Sequence, residues 1–217
     1  MIRIKACPVG LLQANCYLAW NPETRKGFLV DPGDRADVLT AFVRENDVIP
    51  EAILLTHGHF DHIGAAKTLG ENWKIPVFAG EKEAPVLQDS FLNLSGRYTR
   101  HPFTVKADRL LSDKEEFSLA GYRIRTIHTP GHSEGGVCYE LPEEGILFSG
   151  DTLFEHSYGR TDGPDGDHEE MMRSLGRLLK ELPEETLVLP GHGPETTIAE
   201  ERMQNFAVFE LRERQYL

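Results

Sequence analysis

Cysteine is scarce, long apolar runs are absent and cations are outnumbered. Only Cys7, Cys16 and Cys138 occur in 217 residues. None sits in a CxxC or other short ligand spacing, so neither a disulfide framework nor a thiolate metal site is expected. Cys16 and Cys138 lie in strand-like NCYLAW and GGVCYEL and read as small core residues. No run approaches the ~18 apolar residues that span a bilayer. MIRIKACPVG lacks the apolar centre of a secretory leader, which makes the cytoplasm the expected compartment. Lys and Arg number 23 against 35 Asp and Glu, a formal charge of −12. Such a surface repels phosphate backbones, so neither nucleic acid nor an anionic membrane is an expected partner. GxxxxGK and a strand-linked GxGxxG are also missing, so the glycines read as turn formers rather than phosphate cradles. No low-complexity linker and no periodic repeat divide the chain. One domain over residues 1–217 is the expectation.

What is present is an ordinary globular composition, 40 % hydrophobic and 27 % charged, arranged as alternating strands and helices. RIKAC, NCYLAW, GFLVD, EAILLT and KIPVFAG read as strands in the first half, and YRIRTIH, GGVCYEL, GILFSG and TLVLP in the second. DRADVLTAFVREN, IGAAKTLGEN, EKEAPVLQ, HEEMMRSLGRLLKEL and the segment from Thr197 carry helical spacing. Residues 91–107 and 155–167 fit neither period. The first carries Arg97, Tyr98, Arg100 and Lys106; the second is rich in Gly and Asp. Each reads equally as a functional loop or a surface excursion.

The densest chemistry is Thr56-His57-Gly58-His59-Phe60-Asp61-His62, directly after the apolar strand EAILL. On an extended segment His57 and His59 point to one side. A turn begun at Gly58 or Phe60 brings Asp61 and His62 to a neighbouring position. Taken alone, a solvated His-rich turn is the competing reading. Three further segments argue for a metal site: TPGHSEGG carries His132, ILFSGDTLF carries Asp151 and TLVLPGHGPE carries His192. Each is an apolar strand, a turn, then one possible ligand, and strand ends tend to meet at a common rim. Five His and two Asp suffice for two borderline divalent cations with an open position.

THGHFDH, the later His132, Asp151 and His192, and the earlier FLVDPG together resemble the metallo-β-lactamase fold superfamily over nearly the whole chain. Within it the sequence is most similar to small glyoxalase II-like hydrolases, through GRTD (Gly159 to Asp162) and PGHGPETTIAEE. The resemblance implies an α/β fold, an αββα sandwich of two face-to-face sheets with helices outside. It implies one metal on His57, His59 and His132, a second on Asp61, His62 and His192, and Asp151 between them. Asp31 would support a ligand without touching metal. Zinc is the expected cofactor, with iron or manganese as substitutes. Two-domain glyoxalase II enzymes take much of their glutathione grip from a C-terminal helical domain. Here 25 residues follow His192 (217 − 192), read as one helix and a tail, so those contacts do not carry over.

The implied reaction is hydrolysis of a small-molecule thioester such as S-lactoylglutathione by hydroxide shared between two cations, with Asp61 and Asp151 orienting the water. A thiolate leaves readily, given a thiol pKa near ~8.5, so no general acid is nominated. Arg97, Tyr98, Arg100 and Arg160 are candidate substrate contacts. Arg160 and Asp162 are expected to form a buried ion pair. His128 reads as a structural partner of its neighbours, and His101, His156 and His168 as surface residues. The nearest rival is a persulfide dioxygenase-like enzyme of the same fold, with one iron on two His and one Asp. Its last motif tends toward PAHDY, where this chain has LPGHGPETT. A metal-binding protein without activity is the non-enzymatic rival, and the complete ligand set argues against it. Acyl group, thiol carrier and oligomeric state are not legible.

Overall fold

The computed structural model describes residues 1–217. Its first sheet has the order β1-β2-β3-β4-β5-β6: β1 Arg3–Val9, β2 Ala14–Trp20, β3 Lys26–Val30, β4 Ile49–Leu54, β5 Val77–Gly80 and β6 Arg109–Leu111. The second comprises β7 Glu116–Leu119, β8 Tyr122–His128, β9 Val137–Leu141, β10 Ile146–Gly150, β13 Leu187–Pro190 and β14 Thr196–Thr197, ordered β14-β13-β10-β9-β8-β7. A small hairpin of β11 Leu153–Phe154 and β12 Ser157–Tyr158 lies between them in sequence. The helices are α1 Ala36–Glu45, α2 Phe60–Ile63, α3 Ala66–Trp73, α4 Ala84–Gln88, α5 Ser95–Tyr98, α6 His168–Glu181, α7 Ile198–Gln204 and α8 Val208–Glu213.

Three apolar layers show why the central strands read as unbroken hydrophobic runs. Tyr17, Phe28, Leu54, Tyr139 and Phe148 pack between the sheets. Their odd-numbered or even-numbered neighbours Leu18, Leu29 and Ile53 point outward against Leu39 of α1 and Leu69 of α3. On the far side Cys138, Leu147 and Val188 meet Met171, Leu175 and Leu178 of α6. With both faces covered, alternation no longer separates apolar from polar positions. Full burial of each such side chain contributes roughly 1.5–3 kcal/mol. This is the αββα sandwich expected from the sequence. Cys16 and Cys138 are fully buried, as expected, whereas Cys7 is half-buried.

Several local expectations change. IGAAKTLGEN is not one helix: α2 is a separate turn that carries Asp61 and His62, and α3 begins only at Ala66. The end of the chain is two helices rather than one, broken at Asn205, whose side chain accepts from Ala207 N–H at 2.9 Å. Segment 91–107 contains α5, its turns fastened by Asn93 Nδ2 donating to Phe103 O at 2.8 Å.

Candidate metal centre

The seven predicted ligands come from four strand ends that reach one rim. β4 is followed by an extended stretch that holds His57 and His59, their ring centroids 4.8 Å apart, before α2 turns Asp61 and His62 inward. His132 follows β8, Asp151 follows β10 and His192 follows β13. Two glycines permit this closeness. A Cβ on Gly33 would lie 1.6 Å from Asp61 O, and one on Gly191 would lie 2.2 Å from Asp151 Oδ1.

Three groups of donor atoms result: the two expected ones, His57, His59 and His132, and Asp61, His62 and His192, and a third of Asp31, His57 and His62. His59 Nδ1 lies 2.8 Å from His132 Nε2, and His62 Nε2 lies 3.2 Å from His192 Nε2. Asp151 stands between the two expected groups. Its Oδ2 is 3.5 Å from His132 Nε2 and 3.6 Å from His192 Nε2, and its Oδ1 is 3.4 Å from His62 Nε2. Asp61 Oδ2 is 3.3 Å from His192 Nε2.

Hydrogen-bond partners assign the tautomers. The Thr56 hydroxyl donates to Asp31 Oδ2 at 2.6 Å and so accepts from His57 Nδ1–H at 3.0 Å. His62 Nδ1–H donates to the same Asp31 oxygen at 3.1 Å, and His132 Nδ1–H donates to Arg160 O at 2.8 Å. The opposite Nε2 atoms of all three rings therefore face the rim. His57 Nε2 and Asp151 Oδ1 are buried without any hydrogen-bond partner. Converging lone pairs repel unless a proton or a cation lies between them. The observed spacings bracket the about 3.3 Å edge of a tetrahedron with zinc-like bonds of ~2.0–2.1 Å. The donor set fits divalent cations.

Charge points the same way. Burial and the neighbouring imidazoles hold His57 and His59 well below the ordinary histidine range, so both are neutral donors. Burial alone would also neutralise His62, but Asp151, Asp61 and Asp31 outweigh it and raise this ring to about 10. Burial opposes ionisation of Asp61 as well, yet His62 and His192 pull its pKa well down. In the absence of a cation the second group thus holds a proton in its place.

Two supports were not legible in the sequence. Fully buried Glu83, just after β5, accepts from Gly58 N–H at 2.6 Å and from the Ser133 hydroxyl at 3.1 Å. It ties the His57–His59 stretch to the His132 turn. From β2, Asn15 Nδ2 donates to Pro190 O at 3.0 Å and Gly193 O at 2.9 Å, and the Tyr17 hydroxyl to Pro190 O at 2.8 Å, clasping the His192 turn. A single Glu in a helix-like EKEAP carries no pattern that separates it from a solvated one.

The centre lies at the floor of an open cleft of about 1110 Å³. Of the four candidate substrate contacts, Arg97, Tyr98 and Arg160 line it and Arg100 does not. The Arg160–Asp162 pair forms at 2.6 Å but is solvent-exposed rather than buried, because GRTD lies on the cleft's rim. His128 Nε2 lies 3.0 Å from Glu134 O, away from the ligand set. His101 and His168 are exposed; His156 is half-buried and pairs with Glu200 at 3.1 Å.

The profile of the Metallo-beta-lactamase superfamily matches residues 9–192. The chain belongs to this superfamily. It is 41 % identical over 199 residues to the probable metallo-hydrolase YqgX of Bacillus subtilis (strain 168), covering 91 % of this chain and 93 % of that one. It is 32 % identical over 210 residues to the hydroxyacylglutathione hydrolase GloC of Haemophilus influenzae (strain ATCC 51907 / DSM 11121 / KW20 / Rd), covering 94 % and 97 %. Among solved structures, the BLEG-1 B3 metallo-beta-lactamase aligns with a TM-score of 0.90 at 40 % identity, over 95 % of this chain and 99 % of that one. TTHA1623 in a di-iron-bound form aligns at 0.83 and 39 % identity, over 93 % and 98 %. ETHE1 from Myxococcus xanthus aligns at 0.78 and 27 % identity, over 99 % and 92 %. No helix is long and apolar enough to cross a membrane.

Proposed function

We propose that the protein is a metal-dependent hydrolase that opens a thioester, with S-lactoylglutathione as the first substrate to test. The convergence of seven His and Asp side chains, their bare nitrogens aimed at one rim, carries this reading. His57, His59 and His132 would hold one divalent cation and Asp61, His62 and His192 a second, with Asp151 reaching both. Zinc suits the donors, and the di-iron form of a similar structure supports iron equally. Bound cations supply hydroxide at neutral pH and polarise a carbonyl oxygen.

The chain's own residues do the rest. Asp31 fixes the His62 ring directly and the His57 ring through Thr56, so each keeps its Nδ1–H on that support and its Nε2 toward the rim. The Arg160 carbonyl does the same for His132. The carboxylates of Asp61 and Asp151 accept the hydrogen of an attacking water and set its direction. Arg97, which makes no ion pair and lies over the Tyr98 ring at 5.4 Å, offers its charge to a substrate carboxylate. The thiolate departs without a proton donor. The relatives YqgX and GloC support hydrolysis by name.

The test is thiol release from S-lactoylglutathione before and after chelation, with zinc, iron or manganese added back. Release that chelation abolishes and metal restores is expected. A metal-loaded sample that releases no thiol from any thioester, and instead consumes oxygen with glutathione persulfide, overturns the reading in favour of the dioxygenase chemistry.

A further inference from the structure

The mouth of the cleft carries exposed apolar side chains that bond-breaking does not use. Eleven large hydrophobic side chains are exposed in the whole protein, and four of them line this cleft: Leu11, Leu12, Phe91 and Tyr98. Leu11 is 93 % exposed and Phe91 68 %, so neither is held there by the core. Leu11 and Leu12 tip the turn between β1 and β2, closed beneath them by Gln13 Nε2 donating to Gly10 O at 2.7 Å. Phe91 and Tyr98 come from the segment between β5 and β6. Tyr98 stacks on Phe60, the residue between His59 and Asp61, at 5.6 Å between ring centroids. The Tyr98–Phe60 stack thus carries apolar surface from the cleft's edge to the residue between two candidate metal ligands. Contiguous exposed apolar surface beside a site marks what the site receives.

The charges in the cleft narrow that ligand. Arg160 and Asp162 offset each other as an ion pair, and Asp34 repels anions. Arg97 is the one cleft cation without a carboxylate partner. We infer that the substrate is a thioester bearing an apolar group larger than lactoyl, seated on Leu11, Leu12, Phe91 and Tyr98, with one carboxylate at Arg97. This inference rests on the thioester-hydrolase reading and names the substrate class within it.

Isothermal titration of the metal-loaded protein with S-methylglutathione and S-hexylglutathione, thioethers that cannot be hydrolysed, tests the seat without turnover. A buried methylene contributes roughly a fourfold factor, and part of the chain stays wet, so S-hexylglutathione should bind at least about tenfold more tightly. In the Leu11→Ser/Leu12→Ser double variant, whose changes lie on an exposed turn, that ratio should collapse to about twofold or less. A ratio near one in the natural protein, or one untouched by the double variant, overturns the inference. Turnover then locates the group: hexanoyl over lactoyl on one thiol places it on the acyl side, and apolar thiols over glutathione with one acyl group on the thiol side. No turnover of any thioester with the binding ratio intact removes the reaction but not the seat. Turnover with no binding preference removes the seat but not the reaction.

Discussion

Glu83 is a carboxyl buried beneath two ligand loops, and burial leads the causes that push it up to about 8, with Asp165 adding to the shift. Hydrogen bonds from Gly58, Ser133 and Gly135 only partly counter this. The unfolded chain ionises near an ordinary glutamate value, so between those two pKa values the folded state binds the extra proton. Its contribution to stability is therefore complete below about pH 4.5 and is lost as pH rises toward about 8. Glu83→Gln removes that titration while keeping the shape. In denaturant titrations the natural protein should lose about 2 kcal/mol relative to the variant between pH 5 and pH 7, on top of any constant offset. A difference that stays flat with pH would show that Glu83 is ionised in the folded protein. This residue also marks a limit of sequence reading. The seven candidate ligands stood out because each follows an apolar strand at a turn, and histidine is uncommon enough for density to mean something. Glu83, Asn15 and Tyr17 act through contacts with segments far away in sequence, and nothing local distinguishes them.

At the scale of elements, α6 is a prop for the His132 turn as well as a core helix. Its Asp167 side chain accepts from Glu170 N–H at 3.0 Å, an N-cap that fixes where the helix starts. Asp167 N–H donates to Gly131 O at 2.8 Å, and Ser174 Oγ to Pro130 O at 2.7 Å. Gly131 has a φ of 135°, and a Cβ there would lie 2.4 Å from the Met171 backbone. Gly131→Ala therefore meets both a forbidden backbone angle and a helix that cannot yield. It should lower stability by about 2–4 kcal/mol and weaken metal binding, read by thermal denaturation and by zinc competition with a chromogenic chelator. A variant with native stability and native zinc affinity would show that α6 and the turn move independently. The long helix and the doubly covered strands β2, β4, β10 and β13 were visible as strong periodicity or apolar runs. The strands β11, β12 and β14, of two residues each, were not, nor was α5. Such short pieces are defined by tertiary pairing rather than by a local pattern.

For the whole molecule, the net charge of −12 and the closeness of Asp31, Asp61 and Asp151 to the candidate metal centre predict that added divalent cations stabilise the fold. Ligands that bind only the folded state stabilise it by RT ln(1 + [L]/Kd), about 2.7 kcal/mol per site at a hundredfold excess over Kd. For a chain of this size that corresponds to roughly 5–10 °C in Tm for each site filled. Chelation should lower Tm by that step or by two, and back-titration should show how many. The two groups are not equivalent as apo sites. His57 and His59 are neutral when buried, so these two donors lose no proton on binding a cation. His62 is held protonated by Asp151, Asp61 and Asp31, so the second group must release a proton before it binds. The first equivalent of zinc should therefore raise Tm with the smaller dependence on pH between 6 and 8. The second should do so more strongly as pH rises, with proton release measurable in weakly buffered solution. Saturation at two equivalents with that asymmetry establishes the binuclear centre. Saturation at one would leave Asp61, His62 and His192 without a cation and count against the binuclear reading.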